Sequence, residues 1–178
     1  MNGARALRLV VALAVLVSSG LLAASAFATG RSERTLQTLN HQVFAAVNRF
    51  RVAHGLVPLR ESRGLDRSAR QHSLEMGRLG YFSHSSANGT VFWRRIQHYY
   101  SNGGYSSWIV GENMLWASPS VSSARAMKMW IGSPEHLKNL LTPEWRQLGV
   151  SAVRVAHAPG VYHGLRVTII TTDFGARH

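Results

Sequence analysis

Apolar residues Leu39, Val43, Val47 and Phe50 recur at spacings of four, four and three, one stripe of an α-helix that ends near His54-Gly55. Its polar face carries Asn40, Asn48 and Arg51. Pro58 closes the connection, and a second helix is predicted from about Ser62, with Leu65, Ala69, His72, Met76 and Leu79 on one face and Gly80 as its stop. His72 lies inside that apolar stripe and reads as a buried, hydrogen-bonded core histidine rather than a ligand. From Ser83 to Trp108 the composition turns to Ser, Asn, Gly and aromatics, with turn signals at Asn88-Gly89 and Asn102-Gly103-Gly104 and a short helix expected around Val91 to His98.

Further on, Ser120 or Ser122 can cap a helix whose apolar positions are Ala124, Met127, Trp130 and Ile131, terminated by Gly132. A new helix follows at once, with Ser133 at its N-cap, Pro134 in its first turn and Leu137, Leu140 and Leu141 on its buried side. After Pro143 the period changes to two. Val-rich Leu148 to Val155, and Leu165, Val167 and Ile169 alternating with Arg166, Thr168 and Ile170, predict two antiparallel strands joined by a turn near Gly160. Helices first and a hairpin last give an α+β fold with one core, without internal repeats.

The first residues add a different signal. Arg5 and Arg8 precede an apolar run from Leu9 to Ala23, followed by Ala24-Ser25-Ala26-Phe27-Ala28, the three-part layout of a secretory signal. Residues 1–28 are therefore expected to be a signal peptide cleaved after Ala28, with cleavage after Ala26 or an uncleaved N-terminal anchor as alternatives. A linker over 29–36, one domain over 37–175 and a tail over 176–178 complete the expected organisation. The location that follows is secreted or periplasmic. The chain has no Cys, so it holds together without disulfides despite the export signal.

The chain of 178 residues carries a formal charge of +12, and 18 of its 20 basic residues are Arg, whose planar fork grips carboxylate and phosphate at two points. Outside the cytoplasm the plentiful polyanions are lipid headgroups, envelope polysaccharides and wall polymers. Anionic envelope components or lipids are thus the expected partners, with at most peripheral membrane association, and nucleic acid is not expected. No stretch forms a dense basic run, so a uniformly solvated cationic surface is the alternative.

With only 8 acidic residues, His84, Glu112 and His136 stand out as two imidazoles and one carboxylate, the ligand set of a catalytic-type zinc site. They lie 28 and 24 residues apart, so only the fold can bring them together. Ser83 and Ser133 raise a Ser-His-Glu hydrolase reading, against which Ser133 has its N-cap role. Tyr99, Tyr100, Tyr105, Trp108 and Trp93 either line a groove or pack the long loop onto the domain. Asn113 and Asp173 read as structural, through side-chain bonds to nearby backbone.

A larger pattern runs through these residues. Asn48 with Arg51, His72 and Met76, Phe82-Ser83-His84, Gly111-Glu112-Asn113, Trp130 with Ser133-Pro134-Glu135-His136, Asn139, Leu148-Gly149-Val150 and Asp173-Phe174-Gly175 stand in an order, over about residues 37 to 175, that resembles the CAP superfamily. That superfamily comprises cysteine-rich secretory proteins, antigen five and plant pathogenesis-related proteins, and the likeness is to its bacterial, cysteine-free branch. The resemblance implies an α-β-α sandwich, a single domain with an antiparallel sheet between helical layers. It also implies a cleft with a tetrad of two His and two Glu, to which His84, Glu112 and His136 correspond. The remaining glutamate would fall between His84 and Glu112, where this chain has no Asp or Glu. A Zn2+ or another divalent ion held by this triad is the expectation, weakened by the missing carboxylate. The implied function is a binding protein, sterol and lipid binding being known in the family. A metal-assisted hydrolase with Glu112 as base or ligand, or a structural domain without ligand, are the rivals.

Overall fold

The computed structural model describes residues 33–178, so the expected signal peptide lies outside the described residues. Strand β1 is Glu33–Thr35, helix α1 Gln37–Ala53, strand β2 Arg60–Glu61, helix α2 Arg63–Leu79 and helix α3 Phe92–Tyr99. Strand β3 follows at Trp108–Ala117, helices α4 and α5 at Ser123–Ile131 and Pro134–Leu141, strand β4 at Gln147–Val155 and strand β5 at Val167–Arg177. The sheet order is β1-β4-β5-β3, antiparallel along this path, with the short β2 parallel to the start of β4. Among the described residues no helix is long and apolar enough to cross a membrane.

Alternation along the strands divides the core. Leu115, Leu148, Val150, Ala152, Ile170 and Phe174 face the layer of α1, α4 and α5, where they meet Val43, Val47, Trp130 and Leu140. The neighbouring positions Met114, Val153, Val155, Val167 and Ile169 face the other way and pack with Met76 of α2. Leu65, Ile96 and Tyr100 join α2 to α3 on that same side. The fold is the α-β-α sandwich that the motifs implied.

Three differences from the sequence expectation matter. Glu33–Thr35, placed in a linker, pairs with Val153, Arg154 and Val155 as an edge strand. The expected tail is also tied in, since β5 reaches Arg177 and His178 exchanges backbone hydrogen bonds with Ser107. Strand β3 carries Gly111-Glu112-Asn113 in its middle, where the residue pattern predicts no strand. Its ten residues pair with β5 from Trp108↔Arg177 to Ala117↔Thr168.

The polar positions of α1 are not a solvent face. Asn48 closes two hydrogen bonds with Leu59, Asn40 accepts from the Ala152 amide, and Arg51 is completely buried. Arg51 donates to the carbonyls of Val57, Leu140 and Thr142, the last two at the end of α5, where carbonyls have no partner within the helix.

The backbone of helix α2 approaches that of β4 at Gly149. A Cβ on Gly149 would collide with the backbone of Leu65 and Asp66, and backbone cannot swing aside as a side chain can. Asp66 then reaches down to accept a hydrogen bond from the Val150 amide at 2.9 Å. Gly149→Ala is expected to lower unfolding free energy by roughly 2–3 kcal/mol, as overpacking does, measured by urea denaturation. A loss below about 0.5 kcal/mol would mean that α2 is not held this closely.

Candidate functional site

The β3–β5 register sets Glu112 directly opposite Asp173, and Gly149 of β4 is the next residue across. All three lie on the face covered by α2 and α3, so the two carboxyl groups are roofed by helices rather than by water. The Glu112 side chain is 1% exposed. At that depth an ionised carboxylate requires partners.

Two residues supply them. His84, on the loop after α2, places Nδ1 2.7 Å from Glu112 Oε1. Arg95, buried on α3, donates from its guanidinium to Glu112 Oε2. The same guanidinium donates to the His84 carbonyl at 3.0 Å and to Ser86 Oγ at 3.3 Å, which ties the loop carrying His84 to the helix carrying Arg95. His84 is the outward member of this set, its side chain 52% exposed. Phe92 meets its ring edge-on at 6.1 Å.

His136 arrives from the opposite layer. Asn139 donates to the Glu112 carbonyl at 3.0 Å and to Asn113 Oδ1 at 2.8 Å, and Asn113 donates to the His136 carbonyl at 3.0 Å. Asn113 thus binds α5 to β3 rather than bracing a loop. Burial, and then the nearby His84, push the His136 pKa below its usual value. Its Nδ1 lies 2.8 Å from Ser133 Oγ. Ser133 does stand at the N-cap of α5, but its hydroxyl serves His136 and caps no backbone amide.

Arg95 and Asp173 are the two members that the sequence reading did not place here. Asp173 is wholly buried. Burial first, and the Glu112 charge second, raise its pKa well above the usual carboxylate value, which favours the neutral acid. His72 behaves as the apolar stripe predicts: it is completely buried and its Nε2 lies 2.8 Å from the Ser83 carbonyl. The five aromatics do not form one groove. Tyr100 is buried and its carbonyl accepts from Trp108 Nε1, while half-exposed Tyr105 lies near Arg177.

The model of the cysteine-rich secretory protein family, CAP, matches residues 44–167. The chain belongs to the CAP family. The uncharacterized protein YkwD of Bacillus subtilis (strain 168) is 29% identical over 125 residues, which are 70% of this chain and 46% of that protein. An extracellular protein containing an SCP domain from Bacillus anthracis str. Ames superposes with a TM-score of 0.60 at 28% identity, over 78% of this chain and 40% of that one. An outer surface protein of Borrelia burgdorferi superposes with a TM-score of 0.65 at 16% identity, over 82% of this chain and 98% of that one. The chain therefore spans less than half the length of the two Bacillus proteins.

Within this CAP domain the residues do not fit a divalent ion held by His84, Glu112 and His136. One Glu112 oxygen is bonded to His84 and the other to a buried guanidinium, so its negative charge is already met.

His72 gives the site a measurable pH signature. Burial lowers its pKa from 6.5 to about 4, so between those values the unfolded chain binds a proton that the folded chain refuses. Its contribution is complete above about pH 6.5 and is lost as pH falls toward 4. Asp66, raised to about 6, and Asp173 act in the opposite direction, so the comparison is with His72→Gln. The stability difference, wild type minus variant, is expected to fall by about 2–3 kcal/mol between pH 7 and pH 4.5 in urea denaturation. A pH-independent difference would mean that His72 titrates normally.

Proposed function

We propose that this CAP-domain protein acts outside the cytoplasm by binding anionic envelope surfaces through the outer face of α2. The observation that carries this reading is a row of exposed arginines. Arg63, Arg67, Arg70 and Arg78 recur at helical spacing on the side of α2 opposite Leu65, Ala69, His72 and Met76. Arg67, Arg70 and Arg78, with Gln71, Leu74, Glu75, Leu79 and Tyr99, line a groove of about 580 Å³. Arg78 is paired with Glu33. Arg67 and Arg70 are each anchored through Nε, to the Arg63 carbonyl and to Thr35 Oγ1, which leaves their terminal nitrogens for a ligand. Arg94 and His98 of α3 line an adjoining hollow and extend the basic surface.

The location is supported by the secretory layout of residues 1–28 and by the descriptions of two similar structures as extracellular and outer-surface proteins. A hydrolytic reading draws on the half-exposed His84 held by buried Glu112, an arrangement suited to a general base. It is the weaker one, because the Ser133–His136 pair has no orienting carboxylate, Glu112 being bonded to His84 instead, and the Ser83 hydroxyl accepts from the Ser85 amide.

Sedimentation with vesicles tests the binding reading. The protein should bind vesicles containing phosphatidylglycerol, not pure phosphatidylcholine, and be released by raised salt. The Arg67→Gln/Arg70→Gln variant should bind roughly 30-fold more weakly, at about 1 kcal/mol for each charge near the surface. Binding that ignores both salt and these substitutions would refute the arginine face as the contact.

A further inference from the structure

We infer that Arg95 is the resident cation of the cleft and determines its specificity: it occupies the carboxylate of Glu112 and so excludes a divalent metal ion. Arg95 and Glu112 side chains are 2% and 1% exposed, so the pair is desolvated and each charge depends on the other. A guanidinium, unlike an imidazole, does not give up its charge to an incoming ion. Nor can it swing away freely. It is also bonded to the His84 carbonyl and Ser86 Oγ, and its helix is packed through neighbouring Ile96 against Leu65 and Tyr100.

A divalent ion bridging His84, Glu112 and His136 would have to share one buried carboxylate with this fixed positive charge, with the desolvation cost of both cations unrelieved. The sequence interval between His84 and Glu112 contains no acid, and it is from this interval that α3 delivers an arginine instead. The outcome is a charge-balanced Arg95–Glu112 pair beneath the half-exposed His84.

Calorimetric titration with Zn2+ alone, near neutral pH, tests this on the full chain, its Arg95→Met variant, and both with His84→Ala/His136→Ala added. The parent should give the same heats with and without the histidine substitutions, showing no binding in the cleft. Arg95→Met should gain a single site that disappears when the histidines are removed. Histidine-dependent Zn2+ binding in the parent would overturn the inference, as would a folded Arg95→Met variant that gains none. If Arg95→Met does not fold, Arg95→Gln, which removes the charge and keeps a hydrogen-bonding side chain, takes its place in the same Zn2+ titrations, and the same gain or absence of a histidine-dependent site decides.

Discussion

Glu112 lies beneath two helices, and a carboxylate at that depth has to be met by a cation or be neutralised. The molecule does both within one small cluster. Arg95 and His84 meet Glu112, while its neighbour across the strand, Asp173, is pushed by burial toward the neutral acid. Removing one partner of such a buried pair costs about 3–5 kcal/mol, a large part of the stability of a domain this size. The placement of the loop at His84, the docking of α3 and the polarity of the cleft floor all follow from that requirement.

Secondary structure is arranged around the cluster. Strand β3 presents Glu112 to one layer and Asn113 to the other, because successive side chains point to opposite faces of the sheet. Asn113 can therefore bind α5, and with it His136, while Glu112 engages α3. Gly149 lets α2 descend over Asp173, so the same close approach that packs the core also seals the acid from water. The exposed side of α2 is left for arginines. One helix thus joins a dry polar interior to a cationic exterior.

Much of this was legible in the residues. The stripe of α1, that of α2 except for exposed Leu79, the helix start near Ser62, the cap at Ser122, the stops at Gly80 and Gly132, and the final hairpin follow from residue patterns and appear where expected. Strand β3 was hidden because Gly111-Glu112-Asn113 interrupts its apolar alternation, and those residues are polar for the sake of a buried cluster that periodicity cannot reveal. Arg95 had a local signal: it stands next to Ile96 and three residues after Phe92, a charge on the inner side of a short helix. Its partner was 17 residues away on an unrecognised strand. The basic face left no dense run because its arginines are spread at helical intervals, and only the helix gathers them. The family motifs single out His84, Glu112 and His136, and the fold bonds His84 to Glu112, yet a motif does not record the buried cation that Glu112 also meets.

The most direct measurement is nitrogen-15 NMR of the arginine side chains. If Arg95 is locked onto Glu112, one guanidinium should show slow hydrogen exchange and hindered rotation, with separate signals for its terminal nitrogens, and these features should vanish in Glu112→Gln. An Arg95 guanidinium that exchanges and rotates as fast as those of the exposed arginines would contradict the account.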